Sequence, residues 1–260
     1  MMDMDRLLED TQCDFWWYPA DIGIVTRKEI TYTHSKRQEK LYNAVVRVQN
    51  KSAKIPRLVQ EVLSAHAGVP SEWRLAAPSL SDSLEKTLED EGYRLNTESI
   101  TYTLGVDAAR PADPDHIVVR HIQTAQGIID QHAVMDRAFD RKGPLSQPDI
   151  AQHLRNSTGP NARTHRFVAY SSTSEEPLCT ASFNSYPALG VGFLWGGGTV
   201  PDARGQGLYT AIMTARIRHA RKLGLHTVGL YAMTNTSAPI VAAQGFDAHG
   251  PVRFWGKDRA

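Results

Sequence analysis

Glycines and polar residues that together could hold a phosphate group lie between Phe193 and Gly224. Three consecutive glycines, Gly196–Gly198, precede Thr199 and Val200, and the turn Arg204-Gly205-Gln206-Gly207 follows. Glycines lack the side chains that would keep a ligand away from the backbone. The first turn of a helix offers unpaired amides and the positive end of the helix dipole. The stretch therefore predicts a cradle for a phosphate or pyrophosphate.

The elements that position this turn are predicted from the same stretch. Residues 191–195 have the composition of a strand, and a helix with apolar residues at helical spacing begins directly after Gly207. Basic residues crowd its last turns, and Gly224 would cap it. A P-loop is excluded because no Gly-Lys-Ser/Thr is present, and the strict dinucleotide motif GxGxxG is also missing. The alternative is a glycine-rich β–α turn that binds nothing.

The composition indicates a folded protein without an obvious macromolecular partner. Hydrophobic residues make up 41% of the 260 residues, and 29 basic residues against 28 acidic ones give a net charge of +1. This balance indicates neither nucleic acid nor an anionic membrane. No apolar run approaches membrane-spanning length, and the two cysteines, Cys13 and Cys179, fit a reducing compartment. We therefore expect a cytoplasmic protein.

The order of the predicted elements repeats along the chain. A strand, a helix ending in glycine, a strand, a second helix, a Gly-aromatic pair and a last strand occur in both halves. A proline-rich segment between the copies is typical of a linker. The sequence thus predicts one domain at residues 1–107, a linker at 108–114 and a second domain at 115–260.

The two copies differ at the connection that follows their first strand. The first copy has Asn50-Lys51-Ser52-Ala53-Lys54-Ile55-Pro56 where the second has the glycine-rich turn. A loop without glycine that leads into a helix with an early proline presents fewer free amides. We therefore expect the first half to be a degenerate copy that keeps the packing and has lost the phosphate cradle.

The second copy resembles a known family. The run Arg204-Gly205-Gln206-Gly207-Leu208-Tyr209 is similar to the acyl-CoA signature of the GNAT acetyltransferase superfamily, with Tyr209 in place of the usual small residue. Asn235 after the next predicted strand, and the pair Gly245-Phe246, extend the resemblance over most of residues 115–256. It implies an α/β (α+β) fold in which helices flank a mixed central sheet, with two GNAT-like halves in tandem.

The resemblance also implies acetyl-CoA as co-substrate, held between two splayed parallel strands that end at Thr199-Val200 and near Tyr231. Amides of the turn would hold the pyrophosphate, and the pantetheine arm would lie along the first strand. The residues so implied to bind the coenzyme are Gly198, Thr199, Val200, Arg204, Gly205, Gln206, Gly207, Leu208, Tyr209 and Asn235.

Two points of this site have alternatives. Irregular backbone at Gly196–Gly198 could stabilise an oxyanion and leave space for a substrate, or the glycines could only permit a bulge, and the two interpretations are compatible. Arg204 could reach a phosphate or only brace the loop.

The implied reaction is direct attack of a neutral amine on the thioester. An alkyl ammonium with a pKa of about 10 must first lose a proton, and the departing thiolate needs a proton donor. Many superfamily members place a tyrosine four residues before the glycine of the Gly-Phe pair, and Val241 stands there in this chain. Tyr231 and Ser237 are the catalytic candidates, although Tyr231 could be a core residue and Ser237 only a helix cap.

The histidines show no metal-ligand spacing with acidic partners along the sequence. We therefore predict no metal and name no general base among His132, His153, His165, His219 and His226.

The leading hypothesis is an N-acetyltransferase that moves an acetyl group from acetyl-CoA to a primary amine of a small-molecule or amino-acid-like acceptor. The expected partners are that amine, without nucleic acid or membrane, and the protein would be a monomer or a homodimer. Val241 favours a second hypothesis, a non-catalytic acyl-CoA-binding sensor or scaffold. A protein acetyltransferase, the third, would need an open groove.

Overall fold

The computed structural model describes residues 3–49, 54–108, 114–140, 143 and 145–258. By packing, the chain forms two compact units, one of Met1–Tyr102 with Tyr231–Ala260 and one of Thr103–Leu230. The first unit is not continuous in sequence, and the domains predicted at 1–107 and 115–260 stay a prediction. Most of the predicted linker, residues 109–113, lies outside the described residues.

The described part of the chain holds seven α-helices and eleven strands. In chain order they are α1 (Met4–Gln12), β1 (Gly23–Thr26), β2 (Ile30–His34), β3 (Ala44–Val48), α2 (Ile55–Ala65), β4 (Ser71–Ala76), α3 (Asp82–Asp90), β5 (Arg94–Gly105), β6 (Ile117–His121), α4 (Ala125–Phe139), α5 (Gln147–Ser157), β7 (Thr164–Ser171), β8 (Pro177–Tyr186), β9 (Val191–Thr199), α6 (Leu208–Lys222), β10 (Thr227–Met233), α7 (Ala238–Ala243) and β11 (Asp247–Lys257).

The sheet of the first unit has the strand order β1-β2-β3-β4-β11-β5. Strands β3 and β4 are parallel, and β11, the last strand of the chain, pairs antiparallel with β4 from Val252↔Ala76 to Lys257↔Ser71. Alternate residues of β4 are buried, which is the pattern of a strand with one face in the core. Helices α2 and α3 cover that core, whose largest buried side chains include Trp73, Leu75, Leu84, Leu88 and Tyr93.

The sheet of the second unit has the order β10-β9-β8-β7-β6. Strands β6 to β9 are antiparallel, whereas β9 and β10 are parallel. Gln131 of α4 hydrogen-bonds Ser182 of β8, while His219 of α6 packs on Phe183, the next residue of that strand. Because neighbouring residues of a strand point to opposite faces, α4 and α6 cover opposite faces of this sheet.

The predicted repeat of element order is present in the structure. The series β3-α2-β4-α3-β5 matches the series β9-α6-β10-α7-β11, and the first two strands are parallel in each. The connection expected to be degenerate falls largely on residues 50–53, which lie outside the described residues.

Helix α3 is capped at its start by Ser81. Asp82 and Glu85 resemble a capping box, yet Asp82 lies inside α3 and Ser81 is the N-cap, with its hydroxyl accepting the amide of Leu84. Ser81 can cap the helix because its extended backbone directs its side chain towards the amides of the first turn.

Among the residues that the structure describes, no helix has both the length and the apolar character needed to cross a bilayer.

A buried histidine connects strands β2 and β4 of the first unit. His66 is 4% exposed; its Nε2 donates to the carbonyl of Thr33 at 2.8 Å, and its Nδ1 lies 2.7 Å from the hydroxyl of Ser71. The Ser71 hydroxyl in turn lies 2.8 Å from the phenol of Tyr93. Burial lowers the pKa of His66 to about 4. The fold thus holds a neutral imidazole.

This histidine predicts a pH dependence of stability. The pKa of His66 is depressed in the folded state. Its contribution to the free energy of unfolding is therefore complete above about pH 6.5 and is lost as the pH falls towards 4. The loss amounts to about 3 kcal/mol. Urea unfolding at several pH values should show that the free energy of unfolding depends less steeply on pH in His66→Gln than in the wild type. The glutamine amide keeps both hydrogen bonds but does not titrate. His249→Gln, at an exposed position, should keep the wild-type slope. Parallel curves for wild type and His66→Gln would refute the assignment.

Candidate functional site

Strand β9 runs through the three glycines with a bulge. Trp195 pairs with Ser182 and Gly198 pairs with Thr180, so Gly196 and Gly197 together face the one residue between those partners. Gly196 has φ +63, in the left-handed region that favours glycine. The strand therefore continues beyond Trp195 to Thr199, where the family resemblance placed its end, and the bulge that these glycines could permit is present.

Two of these glycines make room for aromatic rings of the protein. A Cβ atom at Gly197 would lie 2.8 Å from the ring of Tyr209, and one at Gly198 would lie 2.5 Å from the ring of Phe139. Such distances are far below contact distance, so neither position tolerates a side chain without rearrangement. The space that was expected beside these glycines for a substrate is occupied by Tyr209 and Phe139, while a Cβ at Gly196 would meet nothing within 4 Å.

The predicted cradle follows β9 after one short turn. Val200 is buried, and a 3₁₀ turn at Pro201–Ala203 brings the chain to residues 204–207, all of which are exposed. Gly205 has φ +78 and Gly207 has φ +81, and a Cβ atom at either would come no closer than 3.8 Å to another atom. The backbone conformation, and not crowding, therefore requires glycine here.

Helix α6 begins directly after this turn without a side-chain cap. Its N-cap is Gly207, which offers no side chain to the amides of the first turn. The last turn carries His219, Arg221 and Lys222, which suit the negative end of the dipole. The exposed turn thus lies at the positive end of a 15-residue helix. This arrangement fits a phosphate or diphosphate group.

Side chains around the turn bond to carbonyl groups and not to these amides. Arg204 Nε donates to the carbonyl of Thr199 at 3.4 Å, and Gln206 Nε2 donates to that of Asp202 at 3.3 Å. His116 Nε2 lies 3.2 Å from the carbonyl oxygen of Gln206. Arg204 therefore braces the loop; its contact with a phosphate stays a prediction.

Tyr209 connects the cradle to the bulge. Its half-buried ring covers Gly197, and the guanidinium of Arg216 lies 6.0 Å from the ring centroid. The unusual tyrosine of the signature thus packs against a glycine of β9, which gives the departure a structural reason.

Arg216 is a buried cation that the sequence did not single out. It is 1% exposed and donates to the carbonyl of Ser182 at 3.1 Å. Burial lowers its pKa. Its Nε is buried without a hydrogen-bond partner, and no carboxylate pairs with it among the described residues.

A second buried arginine lies on the opposite face of β8. Arg166 is 8% exposed and hydrogen-bonds Ser157, Gln131 and His153 at 3.0, 2.9 and 3.1 Å. Gln131 continues the network to the hydroxyls of Thr180 and Ser182. Burial lowers the pKa of Arg166 to about 10, which leaves it charged at neutral pH.

No local sequence pattern could have revealed this network. Its members come from α4, α5, β7 and β8 and meet only through the fold. The guanidinium of Arg166 also lies 5.3 Å from the ring of Trp195, the residue before the bulge. The guanidinium groups of Arg166 and Arg216 therefore lie close to the irregular part of β9, and both are bonded to neutral groups and not to a carboxylate among the described residues.

Three predicted site residues belong to the first unit. Tyr231 is half-buried in β10, and Asn235 is exposed in the turn that follows. Ser237 occupies the N-cap position of α7 but makes no side-chain cap bond; its hydroxyl accepts the amide of Met233 at 2.9 Å. Val241 is fully buried in α7, so it contributes to packing. The roles predicted for the other three stay predictions.

The structure brings the remaining predicted coenzyme residues, Gly198–Val200 and Arg204–Tyr209, together in the second unit. The parallel pairing of β9 with β10 covers Val191–Phe193 and Thr227–Gly229. The residues of β9 that follow Phe193 lie beyond this pairing. The irregular segment of β9 therefore leads directly into the cradle.

Comparison with known proteins identifies this architecture. Residues 133–246 match the sequence model of the Acetyltransferase (GNAT) family, whereas comparison with curated proteins gave no match. The fold is similar to that of a GCN5-related N-acetyltransferase from Kribbella flavida, with a TM-score of 0.72 and 14% identity over 100% of this chain and 97% of that chain.

Two further solved structures have the same fold. A GCN5-related N-acetyltransferase from Sphaerobacter thermophilus gives a TM-score of 0.67 with 17% identity, covering 96% of this chain and 85% of the other. A tandem GNAT protein from the clavulanic acid biosynthesis pathway gives 0.61 with 11% identity, covering 99% and 88%. The fold class predicted from the sequence, a mixed sheet flanked by helices in a tandem GNAT layout, is confirmed. The family match at residues 133–246 contains both the bulged strand and the cradle, so this part of the chain is similar in sequence to the Acetyltransferase (GNAT) family.

Proposed function

We propose that the protein is an N-acetyltransferase that transfers the acetyl group of acetyl-CoA to a primary amine of a small-molecule or amino-acid-like acceptor. The observation that carries this proposal is the cradle: two glycines with positive φ lead into α6, whose first turn has no side-chain cap. Acyl-CoA carries a diphosphate, and a helix start of this kind binds such groups. Acetyl-CoA would supply the activated acetyl group as a thioester.

The turn would hold the diphosphate mainly through its backbone. Amides from Gly205 to Tyr209 stand at the positive end of α6, where negative charge is stabilised. Arg204 and Gln206 keep the turn in shape through their bonds to Thr199 and Asp202. Preformed donors of this kind lower the entropy cost of binding.

The bulge of β9 would serve the reacting end of the same ligand. Gly198–Val200 would run beside the pantetheine arm, and bulged backbone can direct an amide towards a developing negative charge. Arg216 and Arg166 lie on the two faces of the neighbouring strand, and neither has a carboxylate partner among the described residues. Their positive potential would favour the build-up of negative charge near the bulge.

Proton transfer is assigned to Tyr231 and Ser237. Ser237 accepts the amide of Met233, which leaves its own hydroxyl proton available for donation. The amine must arrive neutral or lose a proton to solvent, since an alkyl ammonium with a pKa of about 10 is not a nucleophile. Val241, buried in α7, takes no part.

A second candidate function is an acyl-CoA-binding sensor or scaffold without turnover. The valine at position 241 favours it, because the side chain cannot donate a proton and is fully buried. Incubation with acetyl-CoA and a panel of amines, with detection of the free thiol, separates the two functions. Turnover supports the acetyltransferase; a thermal shift with coenzyme A but no turnover on any amine supports the sensor.

The remaining expectations are part of the same proposal. The near-neutral charge gives no reason to expect nucleic acid or a membrane as partner. Two free cysteines, Cys13 and Cys179, suit the cytoplasm. We propose a monomer or homodimer with no metal in the acetyl-transfer step.

The cradle predicts a specific effect of charge at Gly207. Gly207→Glu places a carboxylate at the helix start and forces a side chain to φ +81, so calorimetry should show coenzyme A binding weakened at least tenfold, about 1.4 kcal/mol. Gly224→Glu is the matched control: it has φ +74 just past the other end of α6, and its affinity should stay within about twofold of wild type. Equal affinities of the two variants for coenzyme A would show that the cradle does not bind its diphosphate.

The role proposed for Ser237 predicts that loss of its hydroxyl affects turnover but not the binding of coenzyme A. Ser237→Ala should lower kcat by roughly tenfold to a hundredfold while the affinity for coenzyme A stays unchanged, because the hydroxyl would act on the leaving thiolate. Thr236→Ala, at the exposed neighbouring position, should keep the wild-type kcat. An unchanged kcat in Ser237→Ala would exclude this residue as the proton donor.

A further inference from the structure

Three histidines from separate elements meet on the α6 face of the second unit. His121 ends β6, His165 lies in β7 and His219 lies in the second half of α6. One ring nitrogen of each lies within 4.8 Å of a ring nitrogen of the other two. Because β6 and β7 pair His121 with Phe167, two residues after His165, the two strand histidines point to the same face.

The hydrogen bonds of His165 determine which of its nitrogens faces the cluster. Its Nε2 lies 3.4 Å from the hydroxyl of Ser185, and that hydroxyl donates to the carbonyl of Arg163 at 3.4 Å. The hydroxyl therefore accepts a hydrogen bond from Nε2–H, and Nδ1 carries a lone pair. An imidazole held by an outer hydrogen bond in this way is the usual form of a metal ligand.

The other two histidines present nitrogens to the same point. His219 Nε2 lies 3.2 Å from His165 Nδ1. Two nitrogens bound tetrahedrally to one Zn²⁺ at about 2.05 Å would lie about 3.3 Å apart. His121 Nε2 is buried and has no hydrogen-bond partner among the described residues. A buried polar atom without a partner is costly, and a metal ion would satisfy it.

The surroundings keep the three rings neutral and in place. His121 stacks on Phe167 at 4.9 Å and His165 stacks on Phe183 at 4.7 Å. Burial, and then the neighbouring imidazoles, lower the pKa of His165 to about 3. No carboxylate is hydrogen-bonded to any of the three among the described residues, so the donor set is nitrogen alone. Neutral imidazoles suit Zn²⁺ and its late first-row neighbours.

We propose that His121, His165 and His219 bind one Zn²⁺ ion, which fastens the edge strand β6 and strand β7 to helix α6. Three protein ligands would leave a fourth position for water. The sequence could not reveal this site, because its ligands lie 44 and 54 residues apart and come together only when α6 packs on the sheet. The proposal is independent of acetyl transfer and adds a stabilising site to the second unit.

The test measures metal binding by the full-length chain after removal of any affinity tag and of bound metal by a chelator. Calorimetry should show one Zn²⁺ per chain, and Co²⁺ should give the intense visible bands of tetrahedral coordination. Added Zn²⁺ should raise the thermal midpoint, since a ligand of the folded state stabilises it. Binding of Zn²⁺ without a midpoint shift would overturn the fastening role.

Variants locate the ion. His121→Phe, which keeps the stacking on Phe167, and His219→Gln should each weaken Zn²⁺ binding at least tenfold. His132→Gln is the control, because His132 lies on α4 beside Asp136 and outside the cluster. If His121→Phe and His219→Gln bind as wild type does, the site is elsewhere and the proposal is wrong.

A crystallographic measurement avoids any doubt about the folding of the variants. Crystals of the wild-type chain grown with Zn²⁺ should show an anomalous peak at the zinc edge, about 2.0–2.1 Å from a nitrogen of each histidine. A peak at other residues, or no peak at this cluster, would overturn the proposal.

Discussion

Left-handed backbone at two positions of one turn decides what the second unit can present to a ligand. Gly205 and Gly207 have φ near +80, a conformation that side chains other than glycine rarely adopt. Since α6 begins right after Gly207, nothing covers its first turn from the N-cap position. The charge that attracts an anion therefore comes from main-chain amides and the helix dipole. Such a site keeps its charge at any pH at which the protein folds, which a site made of histidines would not.

The buried arginines add a second source of positive potential, which costs folding free energy. Removing a guanidinium from water without a carboxylate partner costs several kcal/mol. Arg166 and Arg216 offset part of this cost through bonds to neutral acceptors such as Gln131 and the carbonyl of Ser182. A carboxylate partner would lower this free-energy cost but would cancel the positive charge of the guanidinium. Under the proposed function, these cations beside the bulge of β9 would favour the negative charge that develops there during acyl transfer.

The sequence predicted those parts of the molecule that depend on local patterns. The helix after Gly207 and its end before Gly224 follow from glycine positions and periodicity, whereas the parallel order of β9 and β10 was implied by the family resemblance. Composition indicated a strand only at residues 191–195, because glycine is a poor strand residue, whereas the resemblance placed the strand end at Thr199-Val200. The pairing with β8 overrides the preference of glycine and carries β9 to Thr199. The pairing of β11 with β4 joins segments about 180 residues apart, and local patterns carry no information on such pairs. The arginine network and the histidine cluster were missed for the same reason.

The histidine cluster has a physical connection to the cradle, because both depend on the position of α6. A helix that binds a ligand with its first turn must be fixed along its axis, since a shift of about 1 Å is enough to misplace bound groups. Tyr209 against Gly197 fixes its first turn, Arg216 bonded to Ser182 fixes its middle, and His219 beside His165 fixes its second half. These three contacts join α6 to β9, β8 and β7 in turn. A metal ion at the last of them would be the strongest of the three, and it would hold the helix by coordination at the end opposite to the ligand, where it cannot interfere with binding.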